Sequence, residues 1–349
     1  MKNEELIIMA CKIKENTKGN PTFAEIFFKM IKTGIIGGAG YTAGELLRLL
    51  VRHPETETVF VNSASNAGNR ISDVHTDLLG ETNLCFTDQL PLSDIDALFL
   101  CSAHGDSRKF LHANALPSRV KIIDLSTDYR DESGGFVYGL PELNKERIRK
   151  ANKIANPGCF ATAIQLALLP LAANGLLQDE VHVNAITGST GAGVKPSATS
   201  HFSWRNNNIS VYKAFEHQHL AEITQTMSQL QRNFDKAINF IPVRGDFTRG
   251  IFATAYTDCA LSLNEVQNLY GTYYQDAAFT FMTDKNPDLK QVVNTNKAIL
   301  HLEKHGDKIM IISIIDNLLK GASGQAVQNM NLMFGLPEKT GLELKSAGF

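Results

Sequence analysis

IKTGIIGGAGYTAGELLRLL, residues 31–50, decides the fold. A short apolar run, IKTGII, meets the glycine-rich breaker GGAGYTAG (37–44). ELLRLLVRH (45–53) then places Leu46, Leu47 and Leu50 on one side of a helix. Strand, glycine turn and helix in this order suit a dinucleotide loop. Glycines permit a tight turn and a close approach of backbone to a pyrophosphate, which rests on the N–H groups and dipole of the helix start. Gly37, Gly38, Ala39, Gly40, Tyr41 and Thr42 are the expected contacts. The spacing departs from strict G-x-G-x-x-G: Gly37 and Gly40 give G-x-x-G, followed by the small residues Ala43 and Gly44. A glycine turn alone reads equally well as structural; its flanks favour the cofactor.

TVFVNSAS (58–65), ALFLCSA (97–103) and VKIIDLS (120–126) are further short apolar runs ending in small or polar residues. Continuous apolar strands alternating with helices indicate a parallel sheet covered on both faces. Ligands bind beyond the carboxyl ends of such strands. Residues 37–40, 62–65, 102–105 and 124–128 are therefore expected to cluster. An NAD site commonly has an acid at the end of the second strand, on the ribose 2′-OH. Here that end offers Asn62, Ser63, Ser65, Asn66 and Arg70. Hydroxyls and an arginine suit a 2′-phosphate, so NADP(H) is expected, held by Ser63, Ser65 and Arg70.

After residue 157 the pattern changes. CFATAIQLALLPLAANGLL (159–177) is a helix candidate, and so are 219–234 and 262–277. The strand-like runs are VHVNAIT (181–187), INFIPV (238–243), GIFATAYTDCAL (250–261) and KIMIISIID (308–316). This reads as an α+β unit with a mostly antiparallel sheet. The last helical stretch, SGQAVQNMNLMFGL (323–336), is expected to pack back on the first unit. The expected fold class is therefore α/β, a Rossmann-type dinucleotide-binding domain plus an α+β catalytic domain. Residues 30–157 with 319–349 form the first, 158–318 the second. Residues 1–29 read as a dispensable extension, because a domain-like start falls at Met30; a chain beginning there is expected to fold.

Composition narrows the function. The chain has 349 residues, 43% hydrophobic and 20% charged, with a formal net charge of -2. No electrostatic case exists for nucleic acid or an anionic membrane. No apolar run approaches the roughly 20 residues that span a bilayer. Cys11, Cys85, Cys101, Cys159 and Cys259 are odd in number, scattered and never paired as C-x-x-C. That reads as a reduced, cytoplasmic protein with no metal site.

NPGCFAT (156–162) places Cys159 at a helix start, where N–H groups and the dipole stabilise a thiolate, the nucleophilic form. A lone cysteine is more often an inert core residue, which fits Cys101 and Cys259. EHQHLAEI (216–223) supplies His217 and His219 ahead of a helix. Histidine is the usual proton shuttle near neutral pH. At i, i+2 the two share a face only in an extended segment. Metal binding is the rival reading, weakened by the lack of a ligand cluster nearby. His104, in CSAHGDS, is a site residue or a turn residue. A thiolate, a reduced nicotinamide and a histidine can reduce an acyl group to an aldehyde through a thioester, or run the reverse.

Several stretches together resemble one family, N-acetyl-γ-glutamyl-phosphate reductase of arginine biosynthesis. They are GGAGYTAGELLRLL, DLSTDYRD (124–131), YGLPELN (138–144), NPGCFAT, ITGSTGAG (186–193), EHQHLAEI, TRGIFATAY (248–256) and DNLLKGASGQAVQNMNLMFG (316–335). NPGC with the last block is specific; related aspartate-semialdehyde dehydrogenases share the chemistry but not that block. The resemblance implies that Cys159 forms the thioester. It implies that His217 or His219 supplies acid and base, with His219 closer to the helix start. It places Asn317 near the nicotinamide. It also places Ser189, Lys195 and Arg249 at the substrate. It implies NADP(H), a small acyl-phosphate substrate and a homodimer or homotetramer. The rival readings are an aspartate-semialdehyde dehydrogenase and a non-catalytic NADP-sensing regulator. The chain departs from the family at CSAHG, at Val194–Lys195 and in FIPVRGDFTRG (240–250), which leaves the acyl group, acetyl or another, open.

Overall fold

The computed structural model describes residues 30–348; the extension expected at 1–29 lies outside the described residues. Two seven-stranded sheets organise the chain. The first comprises β1 (Ile31–Ile36), β2 (Thr56–Asn62), β3 (Phe86–Thr87), β4 (Ala97–Leu100), β5 (Lys121–Asp124), β6 (Val137–Tyr138) and β7 (Lys153–Ala155). Its order is β3-β2-β1-β4-β5-β7-β6, and every pairing is parallel. ALFL of β4 is buried throughout, as a strand covered on both faces must be. The Tyr41–Leu50 helix follows the glycine turn and buries Ala43, Leu46, Leu47 and Leu50. The strand reversal at β1 brings the ends of β1, β2, β4 and β5 together, so the four expected turns share one edge.

The second sheet comprises β8 (Val181–Thr187), β9 (Ser210–Val211), β10 (Ile238–Arg244), β11 (Ile251–Asp258), β12 (Thr280–Met282), β13 (Ala298–His305) and β14 (Lys308–Ile315). Its order is β12-β13-β14-β11-β8-β10-β9. The pairs are antiparallel except β12–β13 and β8–β10. β13 escaped sequence reading although Ala298, Leu300 and Leu302 alternate inward with period two. The two- and three-residue strands carry too few residues for any period.

The Cys159–Ala173 helix is apolar all round because it is enclosed on every side. It lies against β11, β14 and the His219–Leu230 helix. A π-helical turn at Leu319–Ser323 leads into the Gly324–Met333 helix. Leu319, Ala326, Val327 and Met330 join the core of the first sheet, beside Leu46 and Ile123. No described helix is long and apolar enough to cross a membrane.

Candidate active site

The NPGC loop is pinned from three directions. Asn156 N–H donates to Asp124 O at 2.7 Å, and Asn156 Nδ2 donates to Ala322 O at 3.1 Å. Asn329 Nδ2 donates to Asn156 Oδ1 at 3.0 Å and to Gly139 O at 2.8 Å. Gly158 has an ordinary φ of -72°, so glycine is not there for backbone freedom. It is there for space: a Cβ would sit 2.3 Å from His219 Nε2. On the other side a Cβ on Gly321 would sit 2.8 Å from Cys159 Cβ. Cys159 thus begins its helix with the His219 imidazole packed on the preceding residue and the π-turn against its own stem. Such turns inside helices recur at functional sites.

Electrostatics correct one expectation. The Cys159 thiol is pushed up to about 11, not lowered. Burial is the largest cause, and the Glu222 carboxylate adds to it; the Phe160 N–H and the Arg130 charge oppose it. The partial charge of one helix end does not offset removal of a thiolate from water. A base is therefore required. Burial holds the His219 imidazole well below the usual histidine value, and the Arg130 charge adds to the effect. His219 is buried, and its Nδ1 has no hydrogen-bond partner. His217 is drawn down to about 4 by burial, then by Lys213 and Arg244. Its Nδ1 accepts the His219 backbone N–H at 3.2 Å, so the neutral ring carries its proton on Nε2. The rings lie 4.6 Å apart, both edge-on to Phe160. His217 is committed to holding the helix start, whereas His219 retains a free nitrogen.

Sequence reasoning missed a buried network beneath this loop. Arg130 Nη1 lies 2.8 Å from Glu222 Oε1. Glu222 Oε2 accepts the Tyr138 hydroxyl at 2.6 Å and the Gly158 N–H at 3.1 Å. Gln165 Nε2 donates to the Tyr138 hydroxyl at 2.8 Å. Arg130 Nε also donates to Asn156 O at 3.0 Å. Arg130 in DYRD, Tyr138 in YGLPELN and Glu222 in HLAEI all stood within singled-out motifs. Their mutual contact is tertiary, and no spacing signals it.

The glycine turn fits a pyrophosphate. Gly37 has φ +80°, and a Cβ there would lie 2.8 Å from Cys101 O. Gly38 has no room for one beside Val61 Cγ1 at 2.4 Å. The Tyr41–Leu50 helix starts with no side-chain cap and no acid in its first turn, so its N–H groups stay open for an anion. His75 Nε2 meets Gly38 O at 2.7 Å and stiffens the turn. At the end of β2, Asn66 Nδ2 donates to the hydroxyls of Ser63 at 3.0 Å and Ser65 at 3.2 Å. Arg70 is exposed beyond them, with no acid between it and Asn62. This edge suits a 2′-phosphate.

The candidates for substrate contact divide. Arg249 is already committed: its guanidinium meets both Glu45 oxygens at 2.6 and 3.0 Å and Asp316 at 3.0 and 3.1 Å. It clamps the cofactor-side helix to the end of β14. Asn317 is buried, with Oδ1 accepting Gly250 N–H at 2.7 Å and Nδ2 donating to Thr190 Oγ1 at 3.0 Å. Its side chain ties two loops together and keeps a second N–H on Nδ2 and a second lone pair on Oδ1. Ser189 N–H donates to Phe247 O at 2.8 Å, which leaves its hydroxyl half-buried at the mouth of that loop. Lys195 is exposed on the following loop. His104 accepts the Thr127 N–H on Nδ1 at 3.2 Å, and its charge bears on His219. It holds a turn beside the site.

Comparison with known proteins agrees with this geometry. Residues 32–151 match the family model "Semialdehyde dehydrogenase, NAD binding domain", and residues 159–317 match "Semialdehyde dehydrogenase, dimerisation domain". Proteins named N-acetyl-gamma-glutamyl-phosphate reductase from Parabacteroides distasonis and Bacteroides thetaiotaomicron are each 66% identical over 322 residues, covering 92% of this chain and all of theirs. One from Flavobacterium johnsoniae is 57% identical with the same coverage. Among solved structures, aspartate semialdehyde dehydrogenase II of Vibrio cholerae aligns with a TM-score of 0.68 at 16% identity, over 88% of this chain and 99% of that one. The Candida albicans enzyme, solved with NADP, gives 0.66 at 12% identity over the same shares. At those identities they share the fold alone. The chain belongs to the N-acetyl-gamma-glutamyl-phosphate reductase family, within the semialdehyde dehydrogenases.

Proposed function

We propose that this chain catalyses the NADPH-dependent reduction of an N-acyl-γ-glutamyl phosphate to the N-acyl-glutamate 5-semialdehyde and phosphate, a step of arginine biosynthesis. One observation carries the reading: Cys159 opens a buried helix with the His219 imidazole, one nitrogen unpartnered, packed on Gly158. Cys159 Sγ attacks the γ-carbonyl carbon, the C–O bond to phosphate breaks, and phosphate leaves with the electron pair. The thiol proton passes to His219, which is neutral and able to take it. NADPH, when bound, supplies the hydride that turns the thioester into a thiohemiacetal. His219 gives the proton it holds to the oxyanion that the hydride leaves, and, neutral again, takes it back from the hydroxyl as the C–S bond breaks and the electron pair returns to sulfur as thiolate. Gly37, Gly38, Ala39, Gly40, Tyr41 and Thr42 hold the pyrophosphate, and Ser63, Ser65 and Arg70 the 2′-phosphate.

Residues 30–157 with 319–349 act as the cofactor unit and 158–318 as the catalytic one. The chain works as a homodimer or homotetramer. The face of the second sheet away from the Cys159–Ala173 helix supports this, since Tyr256 and Phe281 stand exposed there. The test is phosphate-dependent NADP reduction with N-acetylglutamate semialdehyde, with other N-acyl forms and with aspartate semialdehyde. Turnover of aspartate semialdehyde alone would overturn the reading in favour of an aspartate-semialdehyde dehydrogenase. Absence of all turnover would favour an NADP-sensing regulator.

A further inference from the structure

We propose that Arg205 and Arg244 form an anion subsite beside the catalytic pocket, which receives a carboxylate or phosphate group of the substrate. The proposal rests on the reductase reading above. Among the described residues the two other buried cations are neutralised, Arg130 by Glu222 and Lys320 by Glu142, and so is the partly buried Arg249, by Glu45 and Asp316. Arg205 and Arg244 are not. Arg205 is only 7% exposed, yet its Nε and Nη1 are buried with no hydrogen-bond partner. Its Nη2 donates to Asn208 O, and its guanidinium lies 5.0 Å from the Trp204 ring centroid. Arg244 Nε is likewise buried and unpartnered. The nearby Asp246 accepts the Asn207 N–H at 2.8 Å and, among the described residues, is ion-paired to neither arginine. Burial, then the Arg244 charge, pushes the Arg205 guanidinium below its ordinary value, while Asp246 opposes them. Two like charges, Arg205 buried and Arg244 partly buried, thus lie near each other with unused buried donors.

Their position ties them to the chemistry. Arg244 ends β10, in register with Thr187 of β8, which runs into the loop carrying Ser189. Its Cζ lies 4.6 Å from the Tyr212 ring centroid. Tyr212 lies 5.8 Å from His217, and His217 lies 4.6 Å from His219. Arg205 precedes β9, the strand that pairs with β10 at Arg244. A buried, unpaired guanidinium is unfavourable unless an anion completes it. The reaction supplies anions: the transferred phosphate, the α-carboxylate and, where the acyl arm bears one, a further carboxylate. Arginine donors suit all three.

Phosphate-dependent NADP reduction by the wild type, Arg205→Gln and Arg244→Gln tests this. The semialdehyde is supplied with an N-acetyl arm and with an N-acyl arm ending in a carboxylate. Each variant is expected to raise one KM by about tenfold or more with kcat changed less than about threefold. A raised KM for phosphate assigns the subsite to phosphate. A raised KM for both semialdehydes assigns it to the α-carboxylate, and for the carboxylate-armed one alone, to the acyl arm. All KM values within about twofold of wild type would overturn the proposal. Melting of the ligand-free protein separates function from structure: loss of an unpaired buried charge should hold or raise the melting temperature, and a marked fall in both variants would make the pair structural. A wild type without turnover would sink the reductase reading instead. The subsite would then be judged by stabilisation with inorganic phosphate or glutarate, present in the wild type and lost in the variants; its absence in the wild type would overturn it.

Discussion

Two turns of this chain use glycine for different physical reasons. At Gly37 the backbone is left-handed, with φ +80°, and a Cys101 carbonyl blocks any Cβ. The turn is made by residues adjacent in sequence, and its working groups are backbone N–H. At Gly158 the backbone is ordinary, and the obstacle is the imidazole of a residue 61 positions further along, 219 − 158. The partners that hold this second turn come from the ends of β5 and β6, from the His219–Leu230 helix and from the Gly324–Met333 helix. A phosphate cradle can be local because one helix start supplies its donors. A nucleophile with a base cannot, because the two must approach side by side while each is oriented from behind.

Substitutions can break this contrast. The largest effect is expected for Cys159→Ser: turnover should fall at least about a thousandfold while NADPH affinity is retained. Surviving turnover would remove the covalent route. Next comes Glu222→Gln, which leaves Arg130 buried without its carboxylate. A loss of about 3 kcal/mol in stability is expected by denaturant melting, since unpairing a buried charge is severe. Gly158→Ala should fold normally, given its φ, yet lose turnover about a hundredfold by displacing His219. Gly37→Ala should do the opposite, weakening NADPH binding about tenfold and lowering stability through backbone strain. If Gly158→Ala lost NADPH binding and Gly37→Ala lost only turnover, the two turns would have exchanged roles.

The smallest effect concerns protons. With the thiol near 11 in the ligand-free protein, the thiolate is scarce at pH 7. Raised above its ordinary value, the group is neutral below it and ionises only as pH climbs. Alkylation of Cys159 by iodoacetamide should therefore keep accelerating above pH 9, the ordinary thiol value. A plateau reached by neutral pH would show that the helix end outweighs burial. Cys101 should react more slowly, because burial and then Asp124 push its thiol higher still.

The parallel sheet, the nucleotide turn, the Cys159 helix and the closing buried helix were legible because each depends on contiguous residues: a continuous apolar run, a glycine triplet, an all-apolar helix. Cys159 and the two histidines, the proposed nucleophile and bases, were legible as residue types in motifs. The sign of the Cys159 shift was not. A helix start is visible in sequence, but the depth of burial that overrides it is set by the packing of the second core. The pairing of Arg249 was hidden for the same reason: TRG marks a cation, while Glu45 and Asp316, which share its charge, lie 204 and 67 residues away.

By itself, then, the order of residues determined most of the longer elements, the cofactor edge and the placement of Cys159 at a helix start, all set by local backbone geometry and hydrophobic period. Only the tertiary structure decided which charges are spent. It neutralised Arg130 and Arg249, left Arg205 and Arg244 unpaired, and freed one nitrogen of His219 while engaging His217. Charge pairing depends on side chains meeting across the fold in a medium without water, and no linear pattern encodes that distance.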